Sequence, residues 1–166
     1  MRAPRVLTIA TTIATASATA LLLASCTASA IPGGACGTID ETGVHALFDR
    51  WNSSLQTGDP QAVIANYASE SILLPTLSGE PRTTEAGLVD YFEHFLVNQP
   101  SGEIDQSVVR IGCNTAVDTG LYTFTFAATG DVVQARYTYA YAWDGEQWLI
   151  ASHHSSVLPE DAPLAE

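Results

Sequence analysis

Residues Arg136 to Ser156 read RYTYAYAWDGEQWLIASHHSS. Two runs of β-branched and aromatic residues flank Asp144-Gly145, and an Asp-Gly pair between alternating runs is the strongest short-range signal for a β-hairpin. The period of two along a strand puts Tyr137, Tyr139, Tyr141 and Trp143 on one side and Arg136, Thr138, Ala140 and Ala142 on the other. With an even loop, Trp148, Ile150, Ser152 and His154 join the aromatic side, while His153 joins Arg136. An odd loop exchanges the two sets, because a one-residue slip turns every side chain over.

Upstream of the hairpin the pattern stays that of strands, over about 104–111, 116–127, 132–143 and 147–156, with Thr129-Gly130-Asp131 as a turn. Before them come helices. Thr38 followed by Glu41 reads as a capping box, and Val44, Leu47, Phe48, Trp51 and Leu55 recur at helical spacing. Gly58 closes this helix, and Asp59-Pro60 opens a shorter one whose buried side is read as Val63, Ile64 and Tyr67. Ser71 to Pro75 is a short strand. Thr83 or Thr84 caps a third helix with an apolar stripe of Leu88, Phe92, Phe95 and Leu96, ended by Asn98-Gln99-Pro100.

Three helices and a strand meander make an α+β domain, with the helices on one face of a curved antiparallel sheet. Helices cannot fill the hollow side of such a sheet completely, so a cone with a central pocket is expected.

The chain of 166 residues is 46% hydrophobic, enough for one domain core. Arg2 and Arg5 followed by the uncharged run Val6 to Ala24 read as a signal peptide over 1–25 rather than a membrane span. Leu23-Ala24-Ser25-Cys26 resembles the bacterial lipobox, which would place a lipid on Cys26. Ordinary cleavage after Ala28-Ser29-Ala30 is the rival. A linker over 26–37, the domain over 38–158 and an acidic tail over 159–166 follow. The expected location is outside the cytoplasm, either lipid-anchored to the cell membrane or secreted.

With Cys26 taken by lipid, Cys36 and Cys113 are left as an even pair, which in an oxidising compartment suggests a disulfide; two unpaired thiols are the alternative. The formal net charge is −12, and there is no lysine. Such a surface repels nucleic acid and anionic headgroups, so neither is an expected partner. No cofactor is expected, since no dinucleotide or flavin fingerprint is present. No metal is expected either, because His153 and His154 are adjacent on a strand and point to opposite faces.

Several strings resemble a known superfamily. The segment GDPQAVIANYASESILLP (58–75) resembles the SnoaL-like and polyketide-cyclase-like branches of the nuclear transport factor two-like (NTF2-like) superfamily. DYFEHFL (90–96), ARYTYAYAW (135–143) and WLIASHHSSVLPE (148–160) resemble bacterial relatives of the calcium/calmodulin-dependent protein kinase II (CaMKII) association domain, some labelled SgcJ/EcaC family. The resemblance implies the association-domain fold without a kinase, assembly into homo-oligomers of two or more copies, and a deep pocket holding an arginine and a histidine. Arg136 and His154 match those two positions, while His153 occupies one that is not always histidine in the family.

Arg136 then reads as the group that captures a small anion, or as half of an ion pair with Asp90, Glu93 or Glu70. The aromatic side of the hairpin could line the cavity or form a subunit interface. The function this supports is binding of a small acidic or polar-apolar molecule. An isomerase or cyclase of the SnoaL-like type, without cofactor and using a pocket His or Tyr, is the alternative, and Tyr67 and Tyr91, with Asp90, are the positions to examine for it.

Overall fold

The computed structural model describes residues 36–159; the expected signal peptide, the expected lipid-bearing Cys26 and all but the first residue of the expected acidic tail lie outside the described residues. Helix α1 runs Glu41–Leu55, α2 Pro60–Ile64 and α3 Glu85–Leu96; strands are β1 Tyr67–Leu74, β2 Pro100–Ile111, β3 Thr115–Phe126, β4 Asp131–Trp143 and β5 Trp148–Val157. The helices cover the inner face of a five-stranded sheet of order β1-β5-β4-β3-β2.

Helix α1 begins two residues later than the capping box suggests. Asp40, not Thr38, is the cap and accepts from the Gly43 N–H at 2.8 Å. Glu41 is therefore the first helical residue and cannot reach back as the box requires. The apolar stripe is as read, with Val44, Leu47, Phe48, Trp51 and Leu55 buried. Asp59 caps α2 with Pro60 behind it, and Thr84 caps α3. Tyr67 does not belong to α2, which stops at Ile64; it starts β1, and it is buried there.

Strand β1 is longer than the Ser71–Pro75 segment and pairs parallel with β5, with Leu73 beside His153 and Leu74 beside His154. The remaining pairs are antiparallel. The loop between β4 and β5 is the even one, Asp144 to Gln147. Asp144 Oδ1 accepts from the N–H groups of Glu146 and Gln147, and Gly145 takes the left-handed backbone that the turn needs, φ +110°.

An even loop alone would send His154 inward, but β5 carries a bulge. Ala140 pairs with Ser152 and Tyr141 with Ile150, so Ala151 is an extra residue on β5. Beyond it the faces of β5 exchange. His153 falls opposite Tyr139 and Ser155 opposite Tyr137, on the inner side, while Ser156 falls opposite Arg136 and His154 opposite Thr138, on the outer side.

A second irregularity, between Ile104 and Gln106 on β2, faces Gly120 of β3. A Cβ on Gly120 would overlap the Gln106 carbonyl. Cys36 and Cys113 are joined by a disulfide that ties the start of the described chain to the β2–β3 turn.

Candidate functional site

The core is unusually aromatic. Tyr137, Tyr139 and Tyr141 are each at most 2% exposed, and Tyr139 packs against Phe48 and Trp51 of α1 with ring centroids 5.9 and 5.6 Å apart. The tyrosines of β4 are thus core packing and do not form a subunit surface.

Helices α1 and α3 leave one end of the inner face open. A cavity of about 390 Å³ lies there, lined among others by Trp51, Leu73, Tyr91, Phe92, Phe95, Phe126 and Val133, with Thr76, Tyr122, His153 and Ser155 as polar groups on one side and His94 and Asn98, in and just after α3, as further ones. No Asp, Glu, Lys or Arg lines it. Two non-glycine residues take left-handed backbone, Leu77 in the β1–α3 loop (φ 57°), which lines the cavity, and Gln99 after α3 (φ 51°), next to the lining residue Asn98. Such conformations are costly and cluster at functional sites.

Two hydrogen-bonded groups make up the polar end. In the first, Thr76 Oγ1 and the Tyr122 hydroxyl each donate to Ser155 Oγ at 2.5 Å. In the second, the Tyr67 hydroxyl and His153 Nδ1 are 2.9 Å apart, both buried. His153 stacks on Tyr139 with centroids 4.1 Å apart and meets the edge of Trp51 at 5.3 Å.

Burial, and after it the nearby His154 charge, lowers the His153 pKa from 6.5 to about 3, so the ring is neutral at ordinary pH. Burial raises Tyr67 and Tyr122 well above 10 and pushes Tyr91 up to about 12. All three phenols keep their protons. His153 Nε2 has no hydrogen-bond partner. Because Tyr67 sits on the Nδ1 side of the ring and does not line the cavity, the opposite edge is the one that faces it.

Arg136 and His154 are not in this cavity, contrary to what the resemblance implies. Both are exposed and share a shallow concavity of the outer sheet face with Gln106, Thr119, Thr138 and Ser156. The bulge at Ala151 explains His154, and simple alternation with the inward tyrosines explains Arg136. Asp90 pairs with Arg82 at 3.3 Å rather than with Arg136. Of the candidate ligand residues, the structure gathers His153 and Tyr91 at the cavity with Tyr67 directly behind, and leaves Arg136 and His154 outside.

Sequence reasoning missed Ser155, Tyr122 and Thr76. The HHSS string contained the signal for Ser155, had the bulge been foreseen. It also missed Asp118, fully buried in β3, whose Oδ1 accepts from Ser107 (2.5 Å) and from the Tyr137 hydroxyl (3.0 Å). His45 Nε2 lies 3.1 Å from the same Ser107 hydroxyl. Among the described residues, no group of three or more His, Cys, Asp or Glu side chains is placed to hold a metal ion.

The family model of the calcium/calmodulin dependent protein kinase II association domain matches residues 40–159. The chain belongs to this family. A Xanthomonas campestris structure assigned to the same association domain is 45% identical, covers 74% of this chain and 91% of its own, and superposes with a TM-score of 0.69. An NTF2-like protein of unknown function from Pseudomonas putida is 18% identical over 77% of this chain and 99% of its own, with a TM-score of 0.65. A cyanobacterial iota-carbonic anhydrase complexed with bicarbonate is 22% identical over 74% of this chain and 94% of its own, TM-score 0.65. At those two identities the likeness is one of fold. No curated protein matches the chain. The association domain is therefore the NTF2-like cone expected from the order of its elements, and among the described residues no helix is long and apolar enough to cross a membrane.

Proposed function

We propose that this association domain is an exported, non-kinase protein that binds a small acidic molecule in its inner cavity and acts as a homo-oligomer. The observation that carries the binding claim is the pairing of an apolar cavity with a small polar end, Ser155 and the partnerless edge of His153. Mostly apolar pockets of roughly 300–1,000 Å³ with a few convergent polar groups are the usual form of small-molecule sites. The fold-alike carbonic anhydrase holding bicarbonate lends support to an oxygen-rich ligand.

Binding is favoured over catalysis by the state of His153. A ring whose pKa is about 3 is a weak proton acceptor at neutral pH, far from the value that suits a general base. The isomerase or cyclase alternative draws on the Tyr67–His153 pair, of which His153 lines the cavity with Tyr67 behind it. It requires a bound anion to raise the histidine, as a nearby negative charge does.

Export is supported by the signal-like start of the sequence and by the Cys36–Cys113 disulfide. A lipid on Cys26 would hold the protein to the membrane; intact-mass analysis of membrane-extracted protein that shows no lipid there would remove the anchor. Assembly through the outer sheet face fits the exposed Ile72, Leu74 and Val108 and, among the described residues, the lack of a helix packed on that face.

Native mass spectrometry of the protein purified from its host tests binding and assembly together. The expected spectrum shows a dimer or larger species carrying a small mass. A monomer without any bound mass would contradict both claims.

A further inference from the structure

We propose that the cavity selects a carboxylate carried on a flat apolar body, because its inner polar end presents two neighbouring hydrogen-bond donors, Ser155 and His153, that no protein group engages. The inference rests on the cavity being a binding site and names the class of molecule it takes.

The direction of each hydrogen bond follows from the donor and acceptor inventory. A serine hydroxyl has one proton and two lone pairs. Ser155 Oγ receives protons from both Thr76 and Tyr122, so its own proton is left to donate elsewhere. The buried Tyr67 phenol keeps its proton and needs an acceptor. The Trp51 indole N–H is turned towards the Tyr67 oxygen, short of hydrogen-bond geometry, and an indole N–H is a donor only. His153 Nδ1 at 2.9 Å is thus the acceptor for Tyr67. A neutral imidazole that accepts at Nδ1 carries its proton at Nε2, where no protein group meets it.

His153 and Ser155 are two residues apart on β5 and point the same way, roughly 7 Å apart at their Cα atoms. The two free donors therefore converge on one region, and a group with two acceptor oxygens satisfies both. A protonated amine offers no acceptor there, and an alcohol or amide must meet both donors with a single neutral oxygen, whereas a carboxylate sets one oxygen on each and accepts as a charged group, which makes the stronger hydrogen bonds.

The remainder of the cavity is apolar and wide. Tyr91 and Phe95 stack with centroids 5.5 Å apart and planes within 18°, and Leu73, Phe92, Phe126 and Val133 close the other sides. Bicarbonate would occupy only the polar corner, whereas an aryl or cycloalkyl carboxylate would fill both parts. His94, exposed, and Asn98, half-buried, line the cavity from α3 and the turn after it rather than from β5.

The test is isothermal titration calorimetry at pH 7 with benzoate, benzamide, benzyl alcohol and sodium bicarbonate, on the wild type and on Ser155→Ala. Benzoate is expected to bind at least tenfold more tightly than the other three, and Ser155→Ala to remove most of that margin. Benzyl alcohol or benzamide binding as tightly as benzoate would overturn the carboxylate assignment while leaving the cavity a binding site. Bicarbonate binding more tightly would overturn the apolar body. Failure of all four to bind would overturn the class and the binding site together. The ¹⁵N spectrum of His153 supplies an independent reading: the Nε2–H neutral tautomer is expected, and the Nδ1–H tautomer would break the two-donor arrangement.

Discussion

The Tyr67 hydroxyl lies 2.9 Å from His153 Nδ1, joining the first residue of β1 to a residue of β5 86 positions later, with both groups buried. The two strands run parallel, so no hairpin brings them together. The fold does it through α3 and three intervening strands. Removing the phenol oxygen leaves Nδ1 buried without a partner, which costs about 1–3 kcal/mol. Tyr67→Phe is therefore expected to lower stability in urea by that amount without changing the slope of the unfolding curve. An unchanged midpoint would mean that Nδ1 finds another donor.

The same histidine makes stability depend on pH. Its pKa is about 6.5 in the unfolded chain and about 3 in the folded one, where it is enclosed by Trp51 of α1, Tyr67 of β1, Tyr139 of β4 and its neighbour His154. Below about 6.5 the unfolded chain takes up a proton that the folded chain refuses. This contribution is fully present above pH 6.5 and is lost as pH falls towards 3, at up to about 1.4 kcal/mol per pH unit. His153→Phe should flatten the wild-type slope between pH 6.5 and 5, above the ordinary carboxylate range. Denaturant midpoints across that window check it.

Residue periodicity carried most of the fold. Strand alternation put Tyr137, Tyr139 and Tyr141 on one face, and the helical stripe of Val44 to Leu55 is the buried one. The parallel edge pairing of β1 was not legible, because nothing local to Ser71–Pro75 encodes a partner some 80 residues away. The site was less legible still. Its polar end depends on one extra residue, Ala151, which turns over everything after it and exchanges His154 for His153. A bulge of that kind has no required residue type, so neither composition nor spacing announces it. Arg136 drew attention as a charge within an apolar strand; it is simply the outward member of the alternation.

The disulfide between Cys36 and Cys113 spans 77 positions. Closing a loop of that length removes enough unfolded-state entropy to stabilise by about 4–5 kcal/mol on the chain-entropy estimate. Cys36→Ser with Cys113→Ser is expected to lose about 2–5 kcal/mol. Thermal unfolding with and without reductant checks it: reductant should lower the wild-type midpoint and leave the double variant unmoved.

Gly120 faces backbone, not a movable side chain. A methyl there would meet the Gln106 carbonyl and the Ser107 Cα at the irregularity of β2. Gly120→Ala must therefore push β2 away from β3 and disturb the Ser107–Asp118–Tyr137 hydrogen bonds beside it. A loss of more than about 3 kcal/mol is expected, at the high end for single substitutions. Gly130→Ala, where no atom lies within 4 Å but φ is +79°, should cost about 1 kcal/mol from backbone strain alone. Urea denaturation of the two variants compares them directly.

The three tryptophans provide built-in reporters for the position of the ligand. Trp51 lines the cavity, whereas Trp143 and Trp148 pack against each other with centroids 5.9 Å apart and do not line it. The most direct measurement is the indole N–H region of a ¹H–¹⁵N spectrum during a benzoate titration, on the wild type and on Arg136→Ala. A saturable shift of the Trp51 signal, with Trp143 and Trp148 still and Arg136→Ala unchanged, is the predicted result. A silent Trp51, or a response abolished by Arg136→Ala, would contradict the cavity and move the site to the outer face of the sheet.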